Sequence, residues 1–166
     1  YKNKEEVYFE IDDSLLTKDL LMVTRIVKSP PDFQAYKNAG SKTSEQLIQF
    51  IKKKEKILLI QKSYLNIADE KDPISQSVTK NNFSPILAAF RIKNMERKKY
   101  LIDVSNYFNT DSPGFNILSS SEKKQYAVGG VDPKRSFLET IKSYPKNLEI
   151  RHILTFKSSK PPRNNL

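Results

Sequence analysis

The sequence predicts a mainly β protein, with antiparallel hairpins forming a sandwich or an open barrel and one or two short helices. Three observations lead there. Apolar residues alternate with polar ones along several short runs, most clearly in residues 86–104, where Ile86, Ala88, Phe90 and Ile92 share one side of an extended chain. Successive side chains of a strand point to opposite faces, so a period of two marks a half-buried strand. The runs come in pairs divided by short polar stretches, which is hairpin spacing. Only 4 glycines stand against 9 prolines, which argues against a glycine-linked array, and no repeat period emerges.

The elements follow in order. Val7, Phe9 and Ile11 share a face, predicting a strand closed by the acidic turn Asp12-Asp13-Ser14. Residues 20–27 form a continuous apolar run, rich in β-branched residues, that suits a strand covered on both faces. Arg25 within it needs a partner or a route to water. Pro30 and Pro31 end that strand, because proline lacks the donor a ladder requires, and a connecting loop continues to residue 42. Residues 45–51 and 57–67 read as a hairpin around the basic loop 52–56. A helix over 44–56 competes, since Leu47, Ile48 and Ile51 also fit a 3.6 period, but the paired run favours strands.

Residues 69–73 form a turn, and 74–80 a helical turn or coil. The central ribbon pairs 86–92 with 100–104 around a solvated loop at 93–99. Ser105 is placed to cap a short helix through Asn106, Tyr107 and Phe108, which Asp111-Ser112-Pro113-Gly114 breaks. Residues 122–128 alternate like a strand before bends at Gly129-Gly130 and Asp132-Pro133. Residues 136–144 and 148–156 make the last hairpin, with Leu148, Ile150, His152, Leu154 and Phe156 on one apolar face. At 166 residues the chain can bury a core as one domain. Residues 1–157 read as that domain, and the polar, proline-containing 158–166 as a linker to a further domain downstream. A start at Tyr1, without an initiator methionine or apolar leader, reads as a mature or excised piece.

A net charge of +10, from 29 basic and 19 acidic residues, raises nucleic acid, an anionic membrane surface or an acidic protein as partners. The basic residues fall in separate predicted turns: Lys52, Lys53, Lys54 and Lys56, then Arg97, Lys98 and Lys99, then Lys123 and Lys124. Lysine also far outnumbers arginine, whereas bidentate reading of bases and phosphates favours arginine. The placement therefore reads as a solvated surface, with no nucleic-acid partner. No apolar run approaches the roughly 20 residues of a membrane helix, so no transmembrane segment is expected.

The residues assign no catalytic, cofactor-binding or metal-binding position. His152 is the only histidine and there is no cysteine, which excludes a two-histidine zinc site, a thiolate site and a disulfide framework. There is no Gly-x-Ser-x-Gly turn and no glycine-rich phosphate loop. Asp69, Glu70 and Asp72 have calcium-like composition without the loop spacing of a calcium hand, and with Asp12-Asp13 they read as solvated turns. Tyr36, Tyr64, Tyr107 and Tyr144 are candidates for stacking recognition, with packing as the plainer role.

Three strings carry a family resemblance. They are Val7-Tyr-Phe-Glu-Ile-Asp-Asp-Ser-Leu-Leu followed by residues 20–26; Asn66-Ile-Ala-Asp, Asp72-Pro-Ile and Asn82-Phe-Ser-Pro-Ile-Leu-Ala-Ala-Phe within 64–92; and Arg135-Ser-Phe-Leu with Ser143-Tyr-Pro-Lys-Asn-Leu-Glu-Ile-Arg-His-Ile-Leu-Thr-Phe within 124–156. In that order they resemble the N-terminal domain of unknown function DUF5117 of large zinc-dependent metalloproteases common in Bacteroidota. The resemblance implies a non-catalytic accessory domain of an exported parent, often a lipoprotein, located in the periplasm or at the outer membrane and cell surface. The zinc and its ligands would belong to a separate downstream protease domain, so this chain would carry no cofactor and no activity of its own. Its partner would be that protease domain, on which it packs or to which it presents substrate. The alternative is a protein-binding or assembly module among outer-membrane proteins. The apolar face of 148–156 is the expected docking surface.

Overall fold

A computed structural model of the chain describes residues 2–3, 6–29, 38–66, 68–69 and 71–160. Its frame is one antiparallel sheet in the order β1-β2-β7-β6-β5-β4-β3, curled into a half-barrel. The strands are β1 (Lys2–Asn3), β2 (Glu6–Asp12), β3 (Leu20–Arg25), β4 (Lys42–Lys53), β5 (Lys56–Lys62), β6 (Ile86–Glu96) and β7 (Lys99–Asp103). The mainly β expectation and its open-barrel form hold. Three short α-helices accompany the strands among the described residues: α1 (Ser75–Asn81), α2 (Ser105–Phe108) and α3 (Ser120–Gln125).

The curl has a local cause in β6. This strand pairs with β5 from Ile86 to Arg91 and with β7 from Ile92 to Glu96, with a bulge between Ile92 and Asn94. A bulge adds an unpaired residue and bends its strand, so β6 transfers the ladder from one neighbour to the other on a slant. A second bulge between Leu59 and Ile60 leaves Ile86 exposed and lets Leu87 pack against the core. Ala88, Phe90 and Ile92 line the interior as expected. The interior itself is Val7, Ile11, Phe50, Ile57, Leu59, Phe90, Tyr100 and Ile102.

The predicted loop at 93–99 is mostly strand. Pairing runs on to Glu96 opposite Lys99, leaving Arg97-Lys98 as a two-residue turn with φ of 48° and 63°. Left-handed backbone at both central positions matches the right-handed twist of the flanking strands. The β4–β5 turn is equally tight, with only Lys54-Glu55 between the paired Lys53 and Lys56. The predicted β5 extension to Ile67 fails at Lys62, where the strand ends; Ile67 itself lies outside the described residues.

β3 is a correction. It is an edge strand bonded to β4 alone, with Leu21 and Val23 facing solvent, and it is not covered on both faces. Its Arg25 finds a partner in the Gly40 carbonyl, to which Nη1 donates at 3.2 Å.

β2 and β3 stand at opposite margins of the sheet although they are consecutive in the chain. A 3-10 turn, Asp13–Leu15, links them, and the Thr17 N–H donates to the Phe50 carbonyl at 2.8 Å. Residues 105–118 fill the side between the margins. At one end the Val7 N–H of β2 donates to Ser105 Oγ at 2.8 Å. At the other, the Gly114 carbonyl accepts from Ser44 Oγ at 2.8 Å and Gln46 Nε2 at 2.7 Å, both on β4. Ser105 does not cap α2: it is the first residue of the helix, its Oγ accepts from β2 and donates to Asp103, and Asp103 Oδ1 accepts the Ser105 N–H at 3.0 Å.

The last third of the chain adds two small pairs, β9 (Phe137–Ser143) with β10 (Leu148–Ile153), and β8 (Val128–Val131) with β11 (Phe156–Ser158). β8 begins only at Val128, and residues 122–127 are not a strand. They hold the end of α3 and a turn at Ala127, φ 51°. Ser119 and Glu122 form a reciprocal capping box there, satisfying two helix N–H groups at once. Gly129-Gly130, predicted as a bend, lies inside β8.

Candidate functional site

The sole histidine is enclosed by aromatic rings. His152 on β10 meets the Phe115 ring edge-on at a centroid distance of 5.0 Å and Phe108 at 6.1 Å, while Tyr107 packs on both phenylalanines. His152 Nδ1 lies 2.6 Å from the Phe108 carbonyl. A carbonyl only accepts, so Nδ1 carries the proton and the neutral tautomer is fixed. Burial lowers the His152 pKa, against a smaller opposing effect of the Phe108 carbonyl. Ile150, Leu154 and Leu138 pack into the same mass. From Ile150 to Leu154 this face is turned inward and occupied, contrary to the expected free docking surface, while Leu148 stays exposed; the bulge between Arg151 and His152 and the departure of Phe156 into β11 also break its periodicity.

The other polar candidates hold the fold. The Ser14 side chain and then its N–H, the latter 2.8 Å from Asp12, hold the Asp12 carboxyl below its usual range, and Asp13 accepts the Tyr100 hydroxyl at 2.8 Å. Asp69 accepts the Lys71 N–H in a local turn; Glu70 and Tyr36 lie outside the described residues. Tyr107 is buried and donates to the Pro113 carbonyl at 2.9 Å, its pKa pushed up to about 12 by desolvation. Among the described residues no three His, Asp or Glu side chains are placed to share a metal ion. Asn109 Oδ1 and Asp111 Oδ1 are buried acceptors without a donor, while Asp111 Oδ2 pairs with Lys123.

Two shallow grooves lie on the surface. One of about 420 Å³, on the outer face of β2, β7 and β6, includes Tyr8, Glu10, Glu96, Arg97 and Lys99. Its charges are paired, Lys99 Nζ with Glu10 across β7 and β2 at 2.9 Å and Arg97 with the adjacent Glu96 at 3.7 Å. The other, about 500 Å³, runs along Lys124, Gly129 and Lys157.

What the structure gathers without warning from the sequence is an apolar tip at the β5–β6 connection. Asn66 Nδ2 donates to Asn82 Oδ1 at 2.8 Å, which brings Leu65 and Phe83 onto adjoining backbone. Leu65 is 92% exposed and Phe83 78%. Tyr64, half-exposed beside them, donates to Asp19 at 2.9 Å with the Lys62 ammonium 5.5 Å over its ring. Tyr64 and Tyr144 are the exposed members of the predicted tyrosine set.

Comparison with protein families finds a match to the domain of unknown function DUF5117 over residues 40–165. The chain belongs to the DUF5117 family. A second match, to the domain of unknown function DUF5118, covers residues 1–29. No curated protein and no solved structure matches the chain. The DUF5118 segment supplies β1, β2 and β3, the two margins of the sheet, and the DUF5117 segment supplies the strands between them.

Proposed function

We propose that this DUF5117 chain is a non-catalytic N-terminal domain of an exported zinc-dependent metallopeptidase, packing on or presenting substrate to the protease domain. The observation that carries this reading is the apolar tip of Leu65 and Phe83, with Tyr64 beside them. Large apolar side chains held out in water, on two stretches of chain tied by a hydrogen bond, suit a protein partner. The commitment of His152 to the Phe108 carbonyl supports the non-catalytic part. Zinc, its ligands and the general base belong to the protease domain in this reading.

The test is peptide cleavage by the full-length parent, with and without residues 1–166, each with and without a chelator. The reading expects chelator-sensitive cleavage that falls when the segment is removed, and a similar fall in the full-length double variant Leu65→Ser/Phe83→Ser. Cleavage untouched by removal, together with loss of co-purifying membrane proteins, would replace it with the assembly-module reading.

A further inference from the structure

Read along the chain, the basic residues occupy separate turns; the register of the sheet brings two of those turns to one end of the half-barrel. Lys56 of β5 lies opposite Arg91 of β6, and the Ile92 N–H donates to the Glu55 carbonyl at 3.0 Å. The β4–β5 turn therefore abuts β6 where that strand moves on to β7. The Lys52 ammonium sits 5.4 Å from the centre of the Tyr100 ring, joining the end of β4 to the start of β7. The Asp13 N–H donates to the Lys98 carbonyl at 2.8 Å and ties the β6–β7 turn to the 3-10 turn.

Lys53, Lys54, Lys56, Lys93 and Lys98 are all exposed here, and among the described residues none has a carboxylate within ion-pair distance. Of the nearby carboxylates Glu10 is paired with Lys99, while Asp12 and Asp13 accept hydrogen bonds from neutral donors and keep their charge. With Glu55 and Glu96 at the turns that makes five carboxylates against nine basic residues, at 52, 53, 54, 56, 91, 93, 97, 98 and 99, a surplus of four. Met95, opposite Tyr100 in the ladder, is 60% exposed among these lysines.

We propose that this end of the half-barrel is a docking surface for an anionic phospholipid membrane. Dispersed ammonium groups on turn tips suit a plane of mobile headgroups, each lysine near such a surface adding attraction. An exposed thioether between them can enter the headgroup boundary. A nucleic-acid strand calls for a basic groove with stacking rings, whereas the adjoining groove carries Glu10 and Glu96 and the Tyr100 ring is buried. The surface lies away from the Leu65–Phe83 tip, so it stands or falls independently of the protease reading.

Flotation of the 166-residue chain with phosphatidylcholine vesicles, with and without phosphatidylglycerol, tests it. The chain binds the anionic vesicles and not the neutral ones. Binding disappears as salt rises from about 0.1 M to about 1 M, which shortens the screening length from about 10 Å to about 3 Å. Lys53→Gln/Lys54→Gln/Lys56→Gln weakens binding on the order of 100-fold, about fivefold per lysine, with an unchanged circular dichroism spectrum. Lys124→Gln/Lys146→Gln/Lys157→Gln, which removes as much charge elsewhere, changes it far less. Met95→Gln lowers vesicle binding several-fold but leaves heparin retention unchanged. Failure to bind anionic vesicles at low salt, or equal losses in the two triple variants, overturns the proposal. So does retention on heparin or DNA without vesicle binding, which would make the partner a linear polyanion.

Discussion

Replacing Gly114 with alanine should unfasten the segment that fills the open side of the half-barrel. Gly114 has φ +102°, and a Cβ there would lie 2.9 Å from Gln46 Nε2, 2.9 Å from Met22 Cε and 3.2 Å from the Tyr107 hydroxyl. Left-handed backbone costs a residue with a Cβ about 1–2 kcal/mol. Gln46 and Met22 can swing aside, but Gln46 then leaves the Gly114 carbonyl, a further loss of about 1 kcal/mol. The expected destabilisation is about 2–3 kcal/mol, a fall in melting temperature of about 4–12 °C for a chain of this size. Gly40 provides the control, because it has φ +91° with nothing within 4 Å of a Cβ. Gly40→Ala therefore carries the backbone strain alone, about 1–2 kcal/mol. Urea denaturation of both variants, followed by circular dichroism, reads the difference. If Gly114→Ala costs no more than Gly40→Ala, the close approach of residues 105–118 to β4 is not what holds that segment in place.

Ser105→Ala leaves the buried Val7 N–H without its acceptor and should cost about 1–3 kcal/mol by urea denaturation; a change under about 0.5 kcal/mol would mean that β2 does not depend on this bond. His152 is held neutral in the fold, with a pKa below its ordinary 6.5. The unfolded chain then binds the proton more readily, so stability is complete above pH 6.5 and declines as pH falls below it. His152→Asn should flatten the decline in melting temperature between about pH 6.5 and 5, clear of the carboxylate range; an identical slope would show that His152 titrates freely. Tyr107 has the opposite sign. Its pKa rises from 10.0 to about 12, so its contribution is present below pH 10 and lost as pH climbs toward 12, and Tyr107→Phe should reduce the alkaline fall in stability over that range.

Strands whose two faces differ were legible in the sequence. Val7, Phe9 and Ile11 point inward as their spacing requires, and residues 45–51 take the strand, not the competing helix. Turns without the usual residues were not legible. Arg97 and Lys98 both adopt left-handed backbone, where asparagine and glycine are the common signals, so a two-residue turn reads as a long polar loop. The alternation of Gln125, Tyr126, Ala127 and Val128 masked α3, although Ser119 and Glu122 three residues apart carried the capping-box signal. β3 looked doubly covered because an apolar run does not say whether a strand lies inside or at a margin.

The apolar tip and the basic end were beyond local reading for a different reason. The stretches that carry Leu65 and Phe83 are tied by a bond between two asparagines sixteen positions apart, and strand register sets the two lysine-bearing turns at one end of the half-barrel. Neither adjacency has a local signature. The middle of the 148–156 face, read as free, packs inward, with His152 against the rings of Phe108 and Phe115, in a segment whose path across the barrel no pattern announced.

The placement of β2 and β3 bears on how this protein can be cut. Residues 1–29 supply both outermost ladders, so a fragment starting at residue 40 would leave β7 and β4 each with an unsatisfied row of amide and carbonyl groups. Two bare rims on one curved sheet invite pairing with other copies. Such a fragment should precipitate, and adding back a peptide of residues 1–29 should rescue it by reseating strands on opposite flanks at once. The seam between the two family segments therefore divides the sequence without dividing the sheet.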